Sequence, residues 1–137
     1  MYYIGNYYEA TIVWGGVTKG TKYYYAGTQR VAMRTCVGNT CSDPTFLLSD
    51  HLGSTSLATN ASGNVVSELR YTAWGEVRYA AGATPTDYTY TGQYSNVNDF
   101  GLLYYNARWY DPYLNRFAQA DSIIPGAGNI VDPRIQT

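Results

Sequence analysis

Apolar and polar residues alternate along most of the chain in short runs that end at glycine, asparagine or proline. Such alternation is typical of half-buried β-strands joined by tight turns. No segment carries the sustained apolar stripe and caps of an amphipathic helix. The pattern therefore predicts an all-β fold in which consecutive short antiparallel hairpins form one curved or spiralled sheet.

Glycine and asparagine mark the turns of the predicted hairpins. Gly5-Asn6 lies between two strands of segment 1–14, and Gly27 lies between strands 23–25 and 29–34. On the return strand we expect Arg30, Ala32 and Arg34 to share one face. Further strands are predicted at 46–48, 55–59, 65–71, 77–79, 88–93, 102–105 and 107–110, with Leu57, Val65 and Leu69 on one side and 80–86 as a mobile loop.

The first two hairpins also resemble each other. Aligning Tyr2-Tyr3-Ile4-Gly5 with Tyr24-Tyr25-Ala26-Gly27 gives a period of 22 residues. A period in the twenties indicates an array of β-strand repeats. Composition agrees, since 16 Tyr and 14 Gly among 137 residues favour strands and tight turns.

Charge and hydropathy exclude several classes of function. Nine basic residues oppose ten acidic ones, and no basic patch indicates nucleic-acid binding. The apolar runs are too short for a transmembrane segment. The N-terminus shows no signal peptide, because it lacks a basic region followed by an apolar one.

Cys36 and Cys41 are the two cysteines, and they flank a plausible hairpin turn at Gly38-Asn39. Such a turn would bring the thiols across a strand pair, where either a disulfide or two free thiols is possible. A disulfide requires suitable spacing and an oxidising compartment. Two thiolates are too few for a structural zinc site, and we expect no metal and no other cofactor.

The segment 101–121, GLLYYNARWYDPYLNRFAQAD, concentrates aromatic rings around a few charges. Asp111-Pro112 ends a predicted strand, because proline donates no hydrogen bond and restrains the residue before it. Asn115 tolerates the left-handed conformation of the turn that follows. We expect Arg108 and Arg116 to pair with Asp111, Asp121 or tyrosine rings, since an unpaired buried charge is costly.

This segment resembles the end of the RHS-repeat-associated core of the RHS, or YD-repeat, family, whose pattern is roughly YYxARxYDPxLGRFxxxDP. The matching positions are Tyr104, Tyr105, Arg108, Tyr110, Asp111, Pro112, Arg116, Phe117 and Asp121. Asn115 and Ser122 depart from the family's Gly and Pro. The turn Asp50-His51-Leu52-Gly53-Ser54 resembles the family's DHLGS element, and residues 24–30 resemble its YYxGxxR hairpin.

The resemblance implies an architecture and a role. Members of this family build hollow β-shells, which in bacteria commonly enclose a C-terminal toxin and which have relatives in animal teneurins. It implies a degenerate N-terminal hairpin at 1–20, a core-like β-repeat domain at 21–125 and an irregular tail at 126–137. The expected function is a structural shell or scaffold segment without catalysis, at an extracellular location or the cell surface.

The family also implies a rival function. Its toxin-bearing members end in an aspartic autoprotease, for which Asp111, Asp121 and the neighbouring Arg116 would be the matching residues. Paired aspartates can share a proton and activate water. We instead expect Asp111 to cap a turn, because Ser122 replaces the motif proline and the segment normally cleaved does not follow.

Two further sites are conceivable. His51 with Asp50 and Ser54 or Ser56 could form a nucleophile and its base, but no nucleophile elbow surrounds the serines and a turn histidine bonding to backbone is favoured. Exposed Tyr and Trp rings could form a carbohydrate-binding or cell-surface-binding module. Tyrosines that fill a sheet face and bond through their hydroxyls are the ordinary alternative.

Self-association is the expected partnership, with other YD-repeat segments as the second candidate partners. Segment 1–8 is rich in tyrosine and has no charge before Glu9, and 104–117 is equally aromatic. Edge strands normally carry Lys, Pro or a bulge that blocks pairing. Pairing of opposite edges would give a head-to-tail oligomer or filament.

Overall fold

The strands follow the predicted hairpins along the chain. The computed structural model describes residues 2–5, 7–12 and 18–120. The strands are β1 (Tyr2–Ile4), β2 (Tyr8–Ile12), β3 (Thr18–Ala26), β4 (Gln29–Val37), β5 (Thr40–Cys41), β6 (Thr45–Ser49), β7 (Thr55–Thr59), β8 (Val65–Tyr71), β9 (Val77–Gly82), β10 (Tyr94–Asn96), β11 (Leu102–Tyr105), β12 (Arg108–Asp111) and β13 (Arg116–Phe117). A single helical turn, α1, covers Val97–Phe100. The predicted all-β fold is confirmed.

Strands β1 to β9 form one sheet in the order β1-β2-β3-β4-β6-β7-β8-β9, with β5 beside β4. Each strand pairs antiparallel with its neighbours, so this sheet is a meander with β1 and β9 at its edges. β3 crosses the predicted boundary at residue 20 and pairs with β2. The two predicted units therefore share a sheet, and the predicted tail lies outside the described residues.

Tyrosine supplies much of the core. Tyr23, Met33, Leu47 and Ala58 form a buried cluster, one residue from each of β3, β4, β6 and β7. Tyr88 packs its ring edge-to-face against Tyr23 at 5.3 Å between centroids. Aromatic pairs of this geometry contribute about 0.5–1.5 kcal/mol beyond their burial. The Tyr23 ring thus forms part of the buried cluster, with Tyr88 packed against it.

Strands β10 to β13 form a second, four-stranded antiparallel sheet. The connecting segment carries hydrogen bonds to the first sheet: the Thr55 N–H donates to the Thr89 carbonyl at 3.1 Å. The Tyr90 hydroxyl donates to the Ala73 carbonyl at 2.9 Å. Leu103 of β11 is 1% exposed. These contacts tie the aromatic segment to the long meander.

The strand predicted at 88–93 is wrong. A 3-10 turn occupies Tyr90–Gly92, and Thr91 adopts a positive φ of 50°. The Gly92 N–H donates to the Thr89 carbonyl, and the Gln93 N–H donates to the Tyr90 carbonyl. The chain turns here because Tyr90 is buried, with its hydroxyl bound to the first sheet. Tertiary contacts override a β-favouring sequence.

The shared face predicted for Leu57, Val65 and Leu69 is wrong for Leu69, since Val65 pairs with Thr59 on the face of Leu57. Leu57 pairs with Glu68, and a bulge then shifts the register between Ala58 and Thr59. Ala58 and Leu69 are buried, whereas Val65 is 59% exposed. One extra residue in a ladder reverses the face of every residue beyond it.

The loop predicted at 80–86 is shorter than expected, because its first three residues belong to β9. β9 continues to Gly82 and pairs that residue with Ser67. Thr86 is 5% exposed, and its hydroxyl lies 3.3 Å from that of Tyr23. Small residues here allow close approach to neighbouring backbone.

Candidate functional site

The motif residues of the aromatic block lie on β11, β12 and β13. The register places Tyr104 opposite Trp109 and Tyr105 opposite Arg108, and it places Asp111 opposite Arg116. Alternation divides the side chains between two faces of the small sheet. The matched positions are thus brought together, with Asp121 lying outside the described residues.

One face of this sheet is an aromatic triangle. The rings of Tyr105, Tyr110 and Phe117 lie 5.4 to 5.7 Å apart. The Tyr110 hydroxyl donates to the Trp74 carbonyl at 2.9 Å. Burial raises the pKa of both tyrosines. This face is built for packing, with phenols that stay neutral at ordinary pH.

Arg108 lies over the Phe117 ring, 3.7 Å from guanidinium carbon to centroid. The predicted pairing named carboxylates or tyrosine rings, and the Phe117 ring is a cation–π partner that the prediction did not name. Arg116 is exposed across the ladder from Asp111. Among the described residues, Arg70 and Glu68 form an ion pair within 4.0 Å. Arg116 forms no ion pair with any of those residues.

Asp111 acts as a turn cap. Its Oδ1 accepts hydrogen bonds from the N–H groups of Tyr113 and Leu114, both at 2.9 Å. Pro112 is buried, and Asn115 has a positive φ of 57°. This geometry agrees with the turn-capping interpretation. The second aspartate of the predicted pair, Asp121, lies outside the described residues.

The segment 50–54 forms a similar carboxylate-capped turn. Asp50 Oδ1 accepts the N–H groups of Leu52 and Ser54 at 2.9 Å each. Ser54 is fully buried, and its Oγ accepts the Thr91 N–H at 3.0 Å. Gly53 takes a φ of +80°, and His51 is exposed. The Asp50 carboxylate therefore stabilises this turn, and the Ser54 hydroxyl links it to Thr91 of the turn at Tyr90–Gly92.

Arg30 occupies a place that the sequence prediction missed. A bulge between Tyr24 and Tyr25 pairs Tyr25 with Arg30 and Tyr24 with Ala32, so Arg30 and Ala32 face opposite sides. The shared face predicted for Arg30, Ala32 and Arg34 is therefore wrong. The Arg30 guanidinium carbon lies 3.6 Å from the centroid of Tyr88 and 4.8 Å from that of Tyr23.

Tyr23 is the buried titratable group at the centre of the first sheet. Its hydroxyl donates to the Glu9 carboxylate. Burial, with a smaller contribution from Glu9, raises the pKa of Tyr23 well above its usual range. Because the folded protein favours the neutral phenol, this stabilisation is complete below the unfolded pKa of about 10 and is lost above it.

We expect a steep alkaline loss of stability that depends on Tyr23. Above about pH 10, each such tyrosine should lower the free energy of unfolding by about 1.4 kcal/mol per pH unit. Tyr23→Phe should remove one such contribution from the slope. Urea unfolding at several pH values measures it, and a slope equal to that of the wild type would contradict the assignment.

Cys36 and Cys41 are joined by a disulfide across the β4–β5 pair, with 3.9 Å between their Cα atoms. Cys36 is buried and Cys41 is exposed. No group of three His, Cys, Asp or Glu side chains among the described residues is arranged to hold a metal ion. No helix in the same ranges is long and apolar enough to span a membrane.

Comparison with curated proteins gives one short similarity. The chain is 38% identical over 78 residues to salivary gland surface protein 1 of Aedes aegypti, covering 55% of this chain and 2% of that protein. No protein-family model matches the sequence. The chain thus corresponds to a small part of that much longer relative.

Comparison with solved structures shows the fold. The crystal structure of TcdB2-TccC3 without its hypervariable C-terminal region matches with a TM-score of 0.66 and 19% identity, over 77% of this chain and 5% of that one. TcdB2-TccC3-Cdc42 gives the same values. TcdB2-TccC3 matches with a TM-score of 0.63 and 18% identity, over 74% of this chain and 5% of the other. The chain therefore shares its fold with a short stretch of these large structures.

Proposed function

We propose that the chain is a structural segment of a β-shell of the RHS, or YD-repeat, type. The observation that carries the proposal is the fold likeness to TcdB2-TccC3 over 77% of this chain. The motif residues support it, because they form a packed aromatic sheet attached to a long meander. A β-shell that grows by the addition of antiparallel hairpins is built from segments of this kind.

The proposed segment is non-catalytic as it stands. Support comes from Asp111, whose Oδ1 already accepts two backbone N–H groups. These hydrogen bonds commit that carboxylate oxygen to capping the turn, whereas an aspartic dyad needs its two carboxylates paired with each other. Arg116 opposite it is exposed, as expected of a surface residue of the strand.

Asp121→Asn should therefore leave the chain's processing unchanged. Purified wild type and variant are incubated at acidic and at neutral pH, and intact mass is measured over time. We expect both to retain the full-length mass. A truncation found in the wild type and absent from the variant would establish the autoprotease instead.

An extracellular or cell-surface location is part of the proposal. The Cys36–Cys41 disulfide supports it, because disulfides persist in oxidising compartments. The name of the mosquito relative, a salivary gland surface protein, points the same way.

Self-association through the open sheet edges completes the proposal. β1 and β9 each have a strand partner on one side only within the described residues. β9 also carries exposed apolar side chains, with Val77 at 44% and Tyr79 at 47%. Because the two edges differ, their pairing is head-to-tail and extends into an oligomer or filament. The predicted edge at 104–117 instead lies largely inside the second sheet.

Solution mass tests this arrangement. We expect the wild-type mass to rise above 15.2 kDa with concentration in light scattering. Val77→Lys should lower the association, because a lysine on an edge strand opposes pairing with another strand. Val65→Lys is the matched control, since Val65 is 59% exposed on β8, an interior strand. A constant 15.2 kDa mass at all micromolar concentrations would overturn self-association.

A further inference from the structure

The turn between β7 and β8 carries an acceptor sequence for N-linked glycans, Asn60-Ala61-Ser62. Its middle residue is alanine, whereas a proline there would exclude the modification. Asn60 is the only asparagine of the sequence with Ser or Thr two positions later. Asn39 has Cys41 at that position, and the Cys41 sulfur is held in a disulfide. The sequence therefore offers a single acceptor of this type.

The acceptor lies at the tip of an exposed hairpin. β7 ends at Thr59, and Asn60 follows it in a half-buried position. The rest of the turn, residues 61–64, is exposed. An oligosaccharide attached to the turn would extend into solvent beyond the ends of the two strands. Because β7 and β8 are interior strands of the meander, it would leave the edges at β1 and β9 free.

One atom of the Asn60 side chain is available for modification. Its Oδ1 accepts the N–H groups of Ser62 at 3.0 Å and Asn64 at 2.9 Å. Its Nδ2 forms no hydrogen bond to a described residue, and it is not buried. An N-linked sugar replaces one hydrogen on Nδ2 and leaves Oδ1 an acceptor. The turn can therefore keep both of its hydrogen bonds in the modified chain.

The same turn presents the Ser62 hydroxyl beside the acceptor amide. The hydrogen bond from the Ser62 N–H to Asn60 Oδ1 holds the two residues close together. Ser62 is exposed, so an enzyme that binds the turn can reach its side chain. A hydroxyl at this position is what the acceptor sequence requires. Both groups that a glycosyl-transferring enzyme recognises are thus accessible in the folded hairpin.

We propose that Asn60 is an N-glycosylation site. The sugar donor is an oligosaccharide joined through a diphosphate to a polyprenyl lipid, and an oligosaccharyltransferase supplies the catalysis. Asn60 Nδ2 bonds to the anomeric carbon of the first N-acetylglucosamine, and the bond from that carbon to the diphosphate breaks. The diphosphate leaves with the electron pair, and the amide gives up one proton to a base of the transferase.

The proposal rests on the extracellular or cell-surface location proposed above. Transferases of this class act on chains that enter the secretory route. The Cys36–Cys41 disulfide supports that route, because disulfides form in its oxidising compartment. The site does not require the sheet edges to pair.

Secretion of the full chain from cultured mammalian cells, behind a cleavable signal peptide, tests the proposal. Chain is recovered from the medium and from the cells, and its intact mass is measured before and after treatment with peptide-N-glycosidase. We expect an added mass of whole hexose and N-acetylhexosamine units, which the glycosidase removes. Because the signal peptide is supplied, the result reports on the acceptor site and not on the natural location.

Two variants remove the acceptor and keep the cap of the turn. Ser62→Ala retains the backbone N–H that bonds to Asn60, and Asn60→Asp retains the accepting oxygen. Both should lose all of the added mass, whereas Ser62→Thr and Asn39→Gln should keep it. Wild-type chain without sugar in both medium and cells, or added mass that persists in Ser62→Ala and Asn60→Asp, would overturn the site. Either result leaves the proposed shell function standing.

Discussion

Leu103→Ala should lower the free energy of unfolding by about 2–5 kcal/mol. Leu103 is 1% exposed and is the largest fully buried side chain among the described residues. Truncation of this side chain leaves a cavity on the inner side of the second sheet. Tyr110, its partner across the β11–β12 ladder, would have to shift to fill that space. Urea unfolding at low protein concentration measures the change without a contribution from association.

Leu114→Ala is the matched control for this cavity. Leu114 is 55% exposed in the turn that Asp111 caps, and its backbone N–H remains available to that carboxylate. We expect its effect to stay within about 0.5 kcal/mol, as for ordinary surface substitutions. Equal effects of the two substitutions would show that the second sheet is not packed against the rest of the chain.

Gly82→Ala should destabilise the protein by more than about 2 kcal/mol. Gly82 has a φ of +70°, and a Cβ there would lie 2.1 Å from the Val66 carbonyl oxygen. Because that oxygen belongs to the backbone of β8, the clash is relieved only by moving the β8–β9 pair. Thermal and urea unfolding of the variant measure the effect.

Gly27→Ala separates the clash from the backbone strain. Gly27 has a φ of +63°, but a Cβ there meets nothing within 4 Å. We expect a cost of about 1 kcal/mol, that of a left-handed conformation alone. If Gly82→Ala lowers the free energy of unfolding no more than Gly27→Ala does, then β9 does not lie close to the Val66 carbonyl.

Turn chemistry made the first half of the fold predictable. Strands β7 and β8 have the predicted bounds, 55–59 and 65–71, since Asn60 and Gly63 mark the turn between them. The Asn60 side chain accepts the N–H groups of Ser62 and Asn64. Local hydrogen bonds of this kind depend on a few neighbouring residues, so sequence reveals them.

Bulges and long-range contacts were not predictable in the same way. The bulge between Tyr24 and Tyr25 turns Arg30 to the face of the core. No residue of this hairpin is of a type that predicts a bulge. The turn at Tyr90–Gly92 depends on the hydrogen bond from the Tyr90 hydroxyl to the Ala73 carbonyl.

We propose that the chain is a strip of β-shell whose open edges pair with other copies. Amide hydrogen exchange, measured below and above the concentration at which mass rises, tests it directly. We predict that amides of β1 and β9 gain protection on association, while those of the interior strands β4 and β6 stay unchanged, because edge pairing adds hydrogen bonds at the edges alone. Association without new protection in β1 and β9 would contradict the claim.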